Sequence, residues 1–180
     1  MNAFGRRWNF LGVALVISAF GAGAQEEAQP QTVVLENDLL RYEIGEDGRN
    51  VKFIDKASGT DYLKPDAPSR CAQVKIGETW TGCSEVSYAD GLLELAFGDT
   101  GAKANVRVAT EKHHLLLTVE SLEGEGVGEL AFPCVELVLP GSLEDPFACC
   151  LLALNLQTNV AEIPGPNNRL RAVAYDRFGF

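Results

Sequence analysis

From Thr32 onward, apolar and polar side chains alternate in short runs bounded by Gly, Asp, Asn and Pro, a period of two that marks strands rather than helices. The pattern predicts strands over Thr32 to Glu36, Leu39 to Gly45, Asn50 to Asp55, Cys71 to Ile76, Trp80 to Tyr88, Leu92 to Phe97, Ala104 to Ala109 and His114 to Ser121. Glu129 to Leu139 and Cys150 to Leu156 are more continuously apolar and read as buried strands; Leu170 to Tyr175 is the last. Between them Glu46-Asp47-Gly48, Ser58-Gly59, Asp90-Gly91 and Asp99-Thr100-Gly101 supply residues that tolerate positive φ, as hairpin turns require. No stretch after residue 31 keeps a helical stripe for three turns, and the best short candidate, Gly141 to Phe147, is interrupted by Pro146. The expectation is an all-β chain of antiparallel strands, with two sheets packed face to face as a sandwich so that each buries one face. A barrel is the alternative.

The first 24 residues break this pattern. Arg6 and Arg7, an apolar run from Phe10 to Phe20 and the small residues Ala22-Gly23-Ala24 make up a cleavable secretory signal, cut after Ala24. The run is about half of the roughly 20 apolar residues a membrane span needs, which favours a leader over an anchor. Trp8 and Asn9 separate the arginine pair from Phe10-Leu11, so the general export route fits better than the twin-arginine one. Export to the periplasm or the outside is therefore expected. Residues 25–31 are polar, contain Pro30 and read as a linker, leaving about 150 residues from Thr32 to Phe180 as a single domain. The chain ends on Phe178-Gly179-Phe180 after what reads as an unfinished sheet, so a truncated domain, or one completed by another chain, is expected.

Charge narrows the partners. The chain has 15 basic and 25 acidic residues, net −10; losing Arg6 and Arg7 with the leader leaves 13 against 25, net −12. Nucleic acid and anionic membranes are disfavoured, and solubility is the plain meaning of the acidity.

The stretch LENDLLRYEIGEDGRNVKFIDKASGTDYL, from Leu35 to Leu63, resembles the opening strands of the galactose-mutarotase-like β-supersandwich of secreted glycoside hydrolases and polysaccharide lyases. LLELAFGDTGAKANVRVATEKHHLLLTVESLEGEG is similar in rhythm to that architecture's middle strands. The resemblance covers Val33 to about Pro140, is one of strands and turns, and contains no catalytic motif, so no catalytic residue is carried over. It implies a supersandwich-like fold, incomplete at this length, beside or within a carbohydrate-active enzyme.

Several residues bear on chemistry. Glycoside hydrolysis needs two facing carboxylates, but most of the acidic residues fall in turns or point outward on strands, as with Glu94, Glu120 and Glu136. His113 and His114 are the only histidines; as strand neighbours they point to opposite faces and do not share a metal ion, although one can serve as an acid or base. Trp80, in GETWTG near a hairpin tip, is the best binding candidate, because an indole stacks on the apolar face of a sugar. The competing account is that it covers the end of the core. Tyr62 and Tyr88 follow behind it.

Five cysteines, Cys71, Cys83, Cys134, Cys149 and Cys150, match no zinc spacing. Cys71 and Cys83 lie symmetrically about Gly77, which would set them across from each other in a hairpin, although directly opposed positions strain a disulfide and buried free thiols are common. Cys149 and Cys150, as neighbours, are poorly placed to pair. Gly124-Glu125-Gly126-Val127-Gly128 connects strands and is flanked by Glu123, so it reads as a loop rather than a phosphate cradle.

The leading expectation is an exported accessory module of a carbohydrate-active enzyme, binding carbohydrate or supporting its cleft, with no cofactor or metal and no catalysis by this chain alone. Two alternatives remain. In one, His113 or His114 works with a carboxylate in part of a mutarotase-like or lyase domain; in the other, the chain is a structural or adhesion domain with Trp80 buried.

Overall fold

The computed structural model describes residues 32–65, 69–160 and 169–175. The leader, the linker and Phe178-Gly179-Phe180 lie outside the described residues. Twelve strands are found among those described: β1 (Thr32–Glu36), β2 (Leu40–Gly45), β3 (Asn50–Asp55), β4 (Gln73–Ile76), β5 (Thr79–Gly82), β6 (Glu85–Ala89), β7 (Leu92–Ala96), β8 (Lys103–Thr110), β9 (Leu115–Glu123), β10 (Val127–Glu136), β11 (Thr158–Val160) and β12 (Arg169–Tyr175). The chain is all-β, and its strands form antiparallel sheets in a sandwich-like arrangement. Among the described residues there are three sheets rather than the expected two: β1-β2-β3, β6-β7-β8-β9 and β11-β12-β10-β4-β5.

The first two sheets are meanders of consecutive strands, each step set by local turn chemistry. Asp90 and Gly91, at φ 52° and 76°, form the two-residue loop between β6 and β7, the Asp-Gly pair that a type I′ hairpin selects. The five-stranded sheet is different. It brings β10 and β12 beside the β4–β5 hairpin from far along the chain.

One apolar cluster draws on all three sheets, including Leu35, Ile44 and Phe53 from the first, Leu93, Leu95 and Val106 from the second, and Val74, Leu130 and Val135 from the third. The alternation in β8 shows why: Ala104, Val106 and Val108 are buried, while Lys103, Asn105 and Arg107 between them are not.

Three expectations need correction. Trp80 to Tyr88 is not one strand but two, β5 and β6, in different sheets. The Cys83 amide donates to Ala72 O (2.9 Å) and the next amide, Ser84, to Ala96 O (2.8 Å), so consecutive residues serve different sheets. His113 and His114 lie in the turn before β9, where Glu111 N donates to His114 O (3.0 Å), so the strand-neighbour argument does not apply to them.

The third concerns Cys150 to Leu156, which is irregular and joins no sheet. Phe147, Cys149 and Leu151 do pack on the core, but Leu152, Leu154 and Leu156 are 77%, 75% and 95% exposed. An apolar run without a partner ladder is not held as a strand. What fixes its start is Tyr62, whose ring stacks on Phe147 (4.3 Å between centroids, 10° between planes) and whose hydroxyl donates to Asp145.

Candidate functional site

The face of the five-stranded sheet turned away from the main core gathers the most chemistry. On β4, Val74 points into the core, so Gln73 and Lys75 point away from it. The two-residue loop Gly77-Glu78 then sets Lys75 opposite Trp80 and Gln73 opposite Gly82. On β10, Glu129 sits opposite both Lys75 and Tyr175, and Ala131 opposite both Gln73 and Val173. A row Trp80, Lys75, Glu129, Tyr175 therefore crosses four strands. A second row runs beside it through Gly82, Gln73, Ala131, Val173 and Asn159.

Cys134 belongs to this face because the β10–β12 register shifts between Ala131 and Cys134. In a regular strand, residues three apart face opposite ways; the extra residue of the bulge puts both on one side. Pro133 falls in that irregularity, where its missing N–H interrupts no ladder bond.

Ala131, Cys134 and Val173 form a small apolar cluster that carries Trp80 and Tyr175, both half-buried. The Arg171 guanidinium lies 4.6 Å from the centre of the Trp80 ring, a cation–π contact that orients the indole. Lys75 Nζ is 3.3 Å from Glu129 Oε1 and 3.7 Å from Glu78 Oε2. The Glu129 hydrogen bond, with the charges of Glu129 and Glu78, raises Lys75 above its ordinary range, while burial pushes the Cys134 thiol up to about 11. At neutral pH the first is thus a cationic donor and the second an uncharged thiol. The face combines flat aromatic edges with amide, ammonium, guanidinium and carboxylate groups, which suits reversible binding of a ligand with apolar and hydroxyl-bearing surfaces.

A scan of family models, curated proteins and solved structures gives no match to this chain.

The other sequence candidates are placed apart from this face. His113 and His114 are both exposed in their turn. Tyr62 is 3% exposed and committed to Phe147 and Asp145. Tyr88 lines a cleft of 310 Å³ between β1 and β6, with Val33, Glu46 and Val86 among its walls. Glu94 faces a polar groove of 240 Å³ on the four-stranded sheet, where Ser87 Oγ donates to it at 3.0 Å. Glu120 is held by Arg107 through bonds of 2.9 and 3.2 Å, and Glu136 pairs with Lys64 at 3.5 Å. Among the described residues no group of three or more His, Cys, Asp or Glu is arranged to hold a metal ion, and no helix is long and apolar enough to cross a membrane.

Of the residues on this face, sequence reading singles out Trp80 and passes over Lys75, Glu129, Arg171 and Tyr175. Lys75 was within reach, because centring the turn on the bond between Gly77 and Glu78 pairs it with Trp80. The other three come from β10 and β12, whose position beside β4 no local signal announces.

The five cysteines are unbridged. Cys150 is exposed, whereas Cys71, Cys83 and Cys134 are buried. In the folded, reduced protein at pH 8, iodoacetamide is expected to modify Cys150 first and to spare those three, as read by peptide mass mapping. Rapid labelling of Cys134 would mean that its sheet face opens readily.

Proposed function

We propose that the chain is an accessory β-sandwich module of an exported carbohydrate-active enzyme and binds carbohydrate on the outer face of its five-stranded sheet. The observation that carries this reading is the row Trp80, Lys75, Glu129, Tyr175, with Arg171 on the indole. Half-buried aromatic rings offer apolar surface at little entropic cost, and the polar groups between them reach ring hydroxyls. Export rests on the leader read at Arg6 to Ala24, and the enzyme context on the strand resemblance of Leu35 to Leu63.

The test is glycan-array binding by the chain after leader removal, beside Trp80→Ala and Trp80→Phe. Trp80→Ala is expected to weaken Kd at least tenfold, about 1.4 kcal/mol, with Trp80→Phe intermediate and circular dichroism unchanged. A folded sample that binds no glycan would overturn carbohydrate binding and favour a structural or adhesion segment.

A further inference from the structure

We propose that Cys71 and Cys83 form an intrachain disulfide, a covalent clasp closing the open end of the β4–β5 hairpin where the three sheets meet. The sequence symmetry about Gly77 misplaces this pair by half a residue. Gln73 faces Gly82, so the next rung holds Ala72 opposite Cys83, with Cys83 N donating to Ala72 O at 2.9 Å. In a regular ladder Cys71 would then point to the opposite face from Cys83. The chain instead bends at Cys71, where it has left β4. Its amide donates to Gly48 O (2.9 Å) and its carbonyl accepts from Cys134 N (2.7 Å). That bend sets Cys71 against the Gly48 turn, and Cys83 flanks the same glycine, its Cβ 3.1 Å from where a Gly48 Cβ would stand, so one residue separates the two cysteines in space. The mutual influence of the two thiols on their titration agrees with that closeness, and the Cys83 S–H donates to Glu85 O at 3.2 Å.

Both residues are 0% exposed and both backbones are pinned by hydrogen bonds, so the two side chains have little freedom left to lose. The anchors reach all three sheets. Gly48 belongs to the β2–β3 turn, Cys134 to β10, and Cys83 leads into β6. Of the five cysteines, this is the pair that flanks Gly48; Cys134 bonds to Cys71 through backbone only, and Cys149 and Cys150 lie in the irregular segment.

The oxidant is a low-molecular-weight or protein disulfide, acting by thiol–disulfide exchange. During folding both thiols meet the oxidant in solvent, and either can lead. With Cys83 leading, its thiolate attacks one sulfur of the oxidant and expels the other half as a thiolate. Cys71 gives its proton to that thiolate and attacks the Cys83 sulfur of the mixed disulfide, expelling the second half, which takes up the proton Cys83 lost. Two protein thiols and one oxidant disulfide become one protein disulfide and two oxidant thiols, two electrons passing to the oxidant. With both sulfurs at 0% exposure, the exchange belongs to folding, before the sheets close over the pair.

The experiment refolds the reduced full chain in a glutathione and glutathione-disulfide buffer, quenches it in acid, unfolds it, alkylates with N-ethylmaleimide and weighs it intact and after trypsin. The expected result is three alkylated cysteines instead of five, with peptide 71–75 joined to peptide 76–103. The melting temperature should fall by about 10 °C when refolding is done under reductant. Cys71→Ala/Cys83→Ala should melt at one temperature in both buffers. Should that variant not fold, the peptide map of the unmodified chain still decides. Five alkylated cysteines in folded, oxidised protein, or a cross-link joining Cys71 to Cys134, would overturn the proposal. Because the oxidant is supplied in solution, the outcome is independent of the export and carbohydrate readings.

Discussion

Gly48→Ala is expected to lower the stability of the domain by about 2 to 4 kcal/mol, read as the urea midpoint followed by circular dichroism. Gly48 has φ +79°, and a Cβ there would stand 2.6 Å from the Cys83 carbonyl oxygen and 2.8 Å from its carbon. The obstruction is backbone, so it cannot rotate aside. The turn cannot easily retreat either, since Gly48 O accepts the Cys71 amide and Gly48 N donates to Gly45 O at 2.8 Å. Gly59 supplies the control. Its φ is +74° but nothing lies within 4 Å of the added carbon, so Gly59→Ala should cost only about 1 kcal/mol of backbone strain. Equal losses at the two sites would mean that the Gly48 turn can pull away from Cys83, and that the meeting point of the sheets is softer than its hydrogen bonds imply.

Phe97→Ala is expected to cost about 3 to 5 kcal/mol, a large part of the 5 to 15 kcal/mol typical of a domain. Phe97 is 0% exposed and is the largest fully buried side chain among the described residues. It also stands where β7 gives way to the Gly98–Thr100 turn: its amide donates to Ala102 O (3.2 Å) and its carbonyl accepts Thr100 Oγ1 (2.6 Å). Those bonds hold the backbone in place, so little can collapse into the space that the ring leaves. A urea midpoint almost unchanged from the parent would show that the neighbouring side chains refill it.

Local and long-range information contributed unequally to this fold. β1 and β3 were legible to the residue: β1 alternates so that Val33 and Leu35 are buried while their neighbours are not, and β3 is bounded by the Glu46-Asp47-Gly48 and Ser58-Gly59 turns. The Asp90-Gly91 hairpin was equally plain. The joint between β5 and β6 was not, because Thr81 to Glu85 keep an extended pattern across a change of sheet, and only the hydrogen-bond partners of Cys83 and Ser84 reveal it. Cys150 to Leu156 misled for the opposite reason, an apolar composition without a neighbouring strand. At the candidate site, Trp80 stood out by its side chain alone, while Arg171 and Glu129 look like ordinary solvated charges until β10 and β12 are laid beside β4.

What the amino-acid order determines unaided is the all-β class, most strand positions, the tight turns and the acidic charge, since each follows from side chains no more than a few residues apart. Tertiary structure decides the division into three sheets, the row running from Trp80 to Tyr175, and the approach of Cys71 to Cys83. Those depend on which distant strands pair, and pairing is settled by burying a shared core rather than by any local preference.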